Sequence, residues 1–222
     1  MAVSVLHTTN VVAGSTGTSK SYNHTCNSST TLLIVRVSLR GTSTTPSSVS
    51  VTYGGTSMTA IPAGNISNTS NRIHLATFRL PYPTTGSALS VAASWTGTAN
   101  CVIVATDVSG GVTVGGGAGL YGNSTSASLT MNGPVGSLLF DTVITNATRT
   151  LTPSGGNTAQ YAELDTSTGS SDLSTRGSTA SGAGDTAVYM TSTLDSAENW
   201  AITSFYVPAA TTGNAGNFML MF

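Results

Sequence analysis

Residues 31–40 carry an apolar side chain at every second position, and this pattern constrains the fold more than any other feature of the chain. Successive side chains of an extended backbone point to opposite faces, so residues two apart share a face. One such face is entirely apolar: Leu33, Val35, Val37 and Leu39. Because an apolar face must be covered by other apolar groups, the segment predicts a β-strand that lies against a core.

The same pattern recurs along the chain between short stretches rich in glycine and proline. It predicts further strands over residues 49–61, 73–80, 88–95, 101–108, 127–131, 136–145, 186–193 and 200–207. Gly54-Gly55 divides the first of these into a hairpin, since glycine accepts the positive φ that a tight turn requires. Residues 110–122 and 166–184 are predicted to be longer loops. The sequence shows no convincing internal repeat.

Composition argues against helices. Only 7% of the residues are charged, against roughly 25% in a typical soluble domain. The polar residues are instead mainly 32 serines and 39 threonines, and threonine suits a pleated surface better than a helix. We therefore predict an all-β fold, specifically a single two-sheet antiparallel β-sandwich that is jelly-roll-like and has an extended C-terminal tail.

Three segments are expected along the chain: residues 1–29 as N-terminal strands or an arm, 30–210 as the sandwich, and 211–222 as an apolar tail. Chain ends are usually polar, but this one closes on five large apolar residues. They are Phe218, Met219, Leu220, Met221 and Phe222. Two interpretations stay open: a last strand on the chain's own sheet, or an arm that docks on a neighbouring subunit or a host surface.

Charge and hydropathy exclude two kinds of partner. The net charge is −1 and no segment collects Lys or Arg, so we expect no nucleic-acid binding. No apolar run approaches the ~18 residues that predict a membrane span. The first residues lack the features of a secretory signal, so either the protein is made without one or the signal has been removed. The first case suits release by lysis, as virion proteins are released, and is the favoured one.

The sequence offers little catalytic or metal-binding chemistry. The histidines, His7, His24 and His74, have no metal-ligand spacing, although folding could bring His24 near Cys26. Cys26 and Cys101 either form a bridge or remain two buried thiols. We expect no enzyme activity, no cofactor and no metal.

The carboxylates are candidate groups for glycoside hydrolysis or for calcium binding. Asp107 and Asp141 lie within predicted strands, where they either point into a cleft, face solvent, or pair with an arginine such as Arg36 or Arg149. The densest acidic patch comprises Glu163, Asp165 and Asp172. The Ser/Thr/Gly loop between Asp165 and Asp172 is only weakly permissive for calcium, and a patch without a bound ion is favoured.

Several short motifs resemble a known family. They are Tyr53-Gly54-Gly55 followed by Met58-Thr59, Ser94-Trp95-Thr96-Gly97, and Asn199-Trp200-Ala201-Ile202. Over residues 30–208 the chain resembles a jelly-roll or immunoglobulin-like β-sandwich module of phage decoration and fibre proteins and of bacterial surface proteins. The resemblance implies a structural or adhesive role and assigns no binding residue.

Three functions follow as expectations. The first is a capsid decoration or cement subunit on the exterior of a virion, with the major capsid protein and further copies of itself, most simply in a trimer, as partners. The second is an extracellular or cell-surface module that binds a glycan or surface through exposed aromatic rings. The candidate rings are Tyr82, Tyr121 and Tyr161. The third is a polymerising filament subunit.

Overall fold

The alternating segments pair into two antiparallel β-sheets that pack together, which confirms the predicted all-β sandwich. The computed structural model describes residues 2–166 and 171–210, except for the side chains of residues 13–15. The predicted C-terminal tail, residues 211–222, lies outside the described residues. The one helical segment described is a short 3₁₀ turn, Pro62–Gly64. No helix within the described ranges has the length and hydropathy needed to cross a membrane.

The first sheet is built from the N-terminal part of the chain. Its strands are β1 (Ser4–Thr25), β2 (Leu32–Gly41), β3 (Ser47–Tyr53), β4 (Thr56–Ser57), β5 (Thr59–Ala60), β6 (Ile66–Asn68), β7 (Ile73–Pro81) and β8 (Ala88–Ser109). β8 pairs with β1 along one side and with β2 and β3 in succession along the other. β7 adds to the free side of β2.

This first sheet folds over on itself. Near the middle of β8 the backbone bends at Gly97, which has a φ of 90°. One apolar cluster then joins residues from both ends of β8, such as Val91 and Ile103, and the indole of Trp95 donates to the Gly17 carbonyl across the bend at 3.0 Å. We call this unit, β1 to β8, the N-terminal sandwich.

The second sheet is built from the remainder of the chain. Its strands are β9 (Gly117–Met131), β10 (Leu138–Thr145), β11 (Leu151–Ser154), β12 (Thr158–Ala159), β13 (Leu164–Asp165), β14 (Ser174–Arg176), β15 (Ser178–Ser181) and β16 (Val188–Val207). We call this unit, β9 to β16, the C-terminal sandwich. Its own apolar clusters join Leu194 with Ile202, and Met190 with Leu139.

The two sandwiches share one order of strand pairing, although the sequence shows no convincing repeat. The long strand β16 pairs with β9, β10 and β11 as β8 pairs with β1, β2 and β3. The β14–β15 pair occupies the place of β7, with β12 and β13 in the places of β5 and β6. Each sandwich also has a Gly-Gly turn after its third strand, at Gly54-Gly55 and Gly155-Gly156.

The two sandwiches contact each other through the outward faces of their central strands. Leu32 and Ile34 of β2 pack against Phe140 and Phe205, whose rings stack at 5.5 Å. A second cluster nearby includes Tyr161. The core is therefore divided into three apolar layers, one inside each sandwich and one between them.

Most predicted strands are confirmed within a few residues, but the two predicted loops are wrong in part. Residues 117–122 belong to β9, and residues 174–181 hold β14 and β15. Residues 4–25, for which an arm was one expectation, form β1 and pair with β8.

Candidate functional site

A buried group of polar side chains lies at one end of the N-terminal sandwich, where the two ends of β1 come together beside β8. His24, near the end of β1, and Asp107, near the end of β8, have no exposed side-chain surface. The Nε2 atom of His24 lies 2.6 Å from Oδ1 of Asp107, and its Nδ1 atom lies 2.7 Å from the Thr9 hydroxyl. With its proton on Nε2, His24 donates to Asp107 and accepts from Thr9.

His7 completes the group from the solvent side. It is paired with Asp107 in the β1–β8 ladder, so both side chains point to the same face of the sheet. Its ring stacks on that of His24 with centroids 5.5 Å apart and an interplanar angle of 12°. One nitrogen or oxygen atom from each of His7, His24 and Asp107 lies within 4.8 Å of the others.

The surroundings keep Asp107 ionised. Burial acts to raise its pKa, but the hydrogen bonds from His24 and from the Asn27 backbone N–H outweigh that effect and hold the pKa below the ordinary value. The Asn27 N–H donates to Oδ2 at 2.8 Å, which leaves Oδ1 directed toward the imidazoles. On the inner side, the edge of the Tyr53 ring contacts His24.

The fold does not require a polar group at this position. In the C-terminal sandwich, the equivalent end is closed by Met131, Leu139 and Met190, with Tyr206 packed against them. A second copy of the same architecture thus fills the place with apolar side chains. The histidines and carboxylate of the N-terminal sandwich are therefore a specific feature of that unit.

Local sequence reasoning could not find this group. His7 and His24 lie at opposite ends of one strand, and they meet only because β1 folds over with β8. His24 forms its side-chain hydrogen bonds with Thr9 and Asp107, and the Cys26 thiol also interacts with the Asp107 carboxylate. Two histidines in one long polar strand, with an aspartate near the end of its pairing partner, were the available signal.

The second buried aspartate has a different environment. Asp141 is fully buried, and it accepts hydrogen bonds from the Ser178 backbone N–H at 2.6 Å and from the Ser178 hydroxyl at 2.8 Å. Burial raises its pKa despite these bonds. The expectations of a cleft or a solvent face are wrong for both Asp107 and Asp141, because both side chains are interior hydrogen-bond acceptors.

Of the arginines named as partners, Arg36 acts on Asp141 through its charge, which opposes the rise in the pKa of that carboxyl without forming an ion pair with it. Arg36 is 1% exposed and lies between the sandwiches, with its guanidinium 5.3 Å from the centre of the Phe140 ring. Burial lowers its pKa. Arg149 pairs with Glu198 at 2.7 Å rather than with either aspartate.

The predicted acidic patch does not form a cluster of ligand groups among the described residues. Glu163 accepts from the Leu151 backbone N–H, and Asp165 accepts from the Ser174 hydroxyl. The backbone carbonyl of Asp172 accepts from Arg40 at 2.6 Å. These groups therefore hold strands and loops in place.

The candidate surface aromatics fall into two classes. Tyr82 and Tyr121 are exposed, at 72% and 56% of their surface. Tyr161 is only 8% exposed and packs between the sandwiches near Arg36, so its ring offers no surface platform. Tyr82 lines a surface cleft of about 430 Å³ together with Thr113 and Pro208.

Both cysteines are buried, and no disulfide joins them. They belong to the same apolar cluster of the N-terminal sandwich. Burial raises the pKa of the Cys26 thiol to about 12. The second of the two sequence interpretations, a pair of buried thiols, describes the structure.

Two long strands lie at the edges of the sheets. Within the described ranges, β1 pairs only with β8, and β9 pairs only with β16. β9 contains no charged residue over its 15 positions, and Lys20 is the one lysine in β1. The predicted docking residues, Phe218 to Phe222, lie outside the described residues.

Comparison with known proteins gives no relative from which a function could be transferred. No protein-family model, no curated protein and no solved structure matches the chain.

Proposed function

We propose that the chain is a non-enzymatic structural subunit that assembles with further copies of itself through its uncharged edge strand, β9. The single observation that carries the proposal is β9, a 15-residue edge strand without a charged side chain. An edge strand presents a row of backbone N–H and C=O groups that can pair with another chain. Soluble proteins usually protect such edges with lysine, proline, a bulge or a covering segment.

The surface chemistry of β9 supports this role. Leu120 and Tyr121 are adjacent on the strand and point to opposite faces, and both are exposed, at 46% and 56%. An added strand would bury these apolar groups in addition to the backbone groups that it pairs. Serine and threonine occupy much of the remainder of the strand and tolerate such burial when they are hydrogen-bonded.

The buried polar groups also favour a structural role over catalysis. Thr9, His24 and Asp107 have the residue types of a hydroxyl–histidine–carboxylate relay. The His24 side chain has no exposed surface, however, so a substrate cannot reach the imidazole. The relay instead ties the two ends of β1 to β8.

The specific form of the proposal is a capsid decoration or cement subunit on the outside of a virion. It rests on the resemblance of the Tyr53-Gly54-Gly55 and Asn199-Trp200-Ala201-Ile202 motifs to modules of phage structural proteins. A closed ring of copies, most simply a trimer, would join edges without leaving one free, whereas a filament would leave an edge at each end.

The experiment is multi-angle light scattering on the full chain over a range of concentrations. The test variant carries Tyr121→Lys and Asn123→Lys, which place two exposed charges on one face of the β9 edge. The control carries Asn132→Lys and Val135→Lys, which add the same charge in the exposed turn after β9. We expect a discrete oligomer that the control preserves and the β9 variant weakens by roughly tenfold or more, because two added charges would have to be removed from water in the contact.

A wild-type protein that remains monomeric at every concentration would overturn the self-assembly part of the proposal. A glycan- or surface-binding module, the second candidate, would then become the favoured function. The observation that favours it is the cleft beside Tyr82, whose exposed ring is a suitable stacking surface for a sugar.

A further inference from the structure

We propose that His7, His24 and Asp107 form a binding site for one divalent transition-metal ion, with zinc as the best-suited ion. The site is independent of the assembly function proposed above, since its three residues lie in the N-terminal sandwich, where the two ends of β1 come together beside β8. Two imidazoles and one carboxylate match the ligand sets that zinc takes in proteins. A set rich in oxygen, as calcium or magnesium prefers, is not present here.

The three side chains already lie close together, and binding an ion requires one local rearrangement. One potential ligand atom from each of the three residues already lies within 4.8 Å of the others. Two nitrogen ligands about 2.1 Å from a tetrahedral zinc ion are roughly 3.4 Å apart. The Nε2 atom of His24 and the Oδ1 atom of Asp107 lie 2.6 Å apart as hydrogen-bond partners, so the ion would displace the proton between them and separate the two atoms. The exposed ring of His7 would supply the third ligand.

The outer contacts are those that a zinc-binding histidine and carboxylate need. A histidine that binds metal through one nitrogen usually donates its other N–H to an oxygen, which fixes the tautomer and the ring orientation. For His24 bound through Nε2, the oxygen on the other side is the Thr9 hydroxyl, 2.7 Å from Nδ1. Asp107 is similarly held at Oδ2 by the Asn27 N–H.

The comparison between the two sandwiches shows that the group is not a requirement of the architecture. Met131, Leu139 and Met190 close the equivalent end of the C-terminal sandwich, with Tyr206 packed against them and neither histidine nor carboxylate in the cluster. Burying an imidazole and a carboxylate is costly relative to that apolar solution. A bound cation would compensate that cost, and the exposed side of His7 leaves a fourth coordination position open to water.

The test is titration of the full chain with zinc chloride, read by competition with a chromophoric chelator and by thermal unfolding. We expect one ion per chain. At a free zinc concentration of about one hundred times the Kd, the midpoint of unfolding should rise by about 5–10 °C. Cobalt(II), used in place of zinc, should give the intense visible absorption of a four-coordinate site.

The key variant is His7→Gln, because His7 is exposed and its removal leaves the buried His24–Asp107 contact intact. It should weaken zinc binding by roughly a hundredfold or more, since even outer contacts of zinc sites contribute 10- to 100-fold. Thr9→Val should weaken binding by about 10- to 100-fold through the orientation of His24. Asn23→Ala, an exposed change on the same strand, is the matched control and should bind as the wild type does.

Two results would overturn the inference. One is a folded wild-type chain that binds no stoichiometric zinc and shows no rise in its unfolding midpoint. The other is binding of equal strength in His7→Gln and the wild type, which would place the ion on other groups of the chain.

Discussion

At the scale of single residues, a chain with so few charges places several carboxylates partly or fully out of water, and each of these then depends on specific hydrogen-bond donors. Glu163 is partly buried and accepts the Leu151 backbone N–H at the start of β11. Burial raises its pKa, the bond from Leu151 opposes that effect, and the nearby negative charge of Asp165 raises the pKa further. The folded chain therefore holds a proton on this residue more readily than the unfolded chain does.

This shift predicts how stability depends on pH. Between the unfolded pKa of about 4.3 and the higher folded value, the folded state binds more protons, so the free energy of unfolding falls as the pH rises through that window. Glu163→Gln keeps an acceptor for Leu151 and removes the titration. We expect the variant to gain stability relative to the wild type as the pH rises from the unfolded pKa through the higher folded one, as measured by urea unfolding at each pH.

The control for the change in net charge is Asp185→Asn, which removes an exposed carboxylate from a loop. A stability difference between Glu163→Gln and the wild type that stays constant over the pH range would contradict the assignment.

At the scale of elements, the two Gly-Gly turns test whether the sandwiches are built alike. Gly55 and Gly156 have φ values of 84° and 85°, and a Cβ atom added at either would meet no atom within 4 Å. Alanine at each position should therefore lower the free energy of unfolding only through the strain of the left-handed backbone, by about 1 kcal/mol or slightly more. Chemical denaturation should give nearly equal losses for Gly55→Ala and Gly156→Ala.

Gly54 supplies the contrast, because its added Cβ would lie 2.8 Å from a methyl group of Leu89 as well as at positive φ. Gly54→Ala should cost more than either of the other two variants. If Gly55→Ala and Gly156→Ala differed by more than about 1 kcal/mol, the two turns would not be equivalent structures.

Elements also show where sequence reasoning succeeded and where it stopped. Alternation located the strands because it reports which side chains face a core. It split β8 at residues 96–100, since Gly97 in a polar stretch is typical of a turn, whereas the backbone continues as a bent strand. A local pattern cannot distinguish a bend from a break, because the difference depends on the strands paired alongside.

The glycine-rich start of β9 was mistaken for a loop for a related reason. A Cβ at Gly117 would lie 2.4 Å from the Ser204 carbonyl oxygen, and one at Gly122 would lie 2.6 Å from the Trp200 ring. Glycine is needed there for close packing of a strand and not for flexibility. The His7–His24–Asp107 group was missed because only the folding-over of β1 brings its members together.

At the scale of the whole molecule, the two sandwiches are joined by a broad apolar face and should unfold as one unit. Phe140 and Phe205 of the C-terminal sandwich pack against Leu32 and Ile34 of the N-terminal one, and all four side chains are fully buried. A pairing plan repeated within one chain allows each unit to have its own core. The layer between them decides whether those cores are independent.

The chain carries one tryptophan in each sandwich, so this coupling can be measured. Trp95 is buried in the N-terminal sandwich and Trp200 in the C-terminal one. Variants Trp95→Phe and Trp200→Phe each leave a single fluorescent probe. We expect the two probes to report the same denaturant midpoint, and Phe140→Ala to lower stability by about 3–5 kcal/mol at both, because it opens a cavity in the shared layer. Two outcomes would show that the sandwiches are domains that unfold independently, since a shared core couples the units it joins. One is a shift of only the Trp200 signal by Phe140→Ala, and the other is a different midpoint for each of the two single-tryptophan variants.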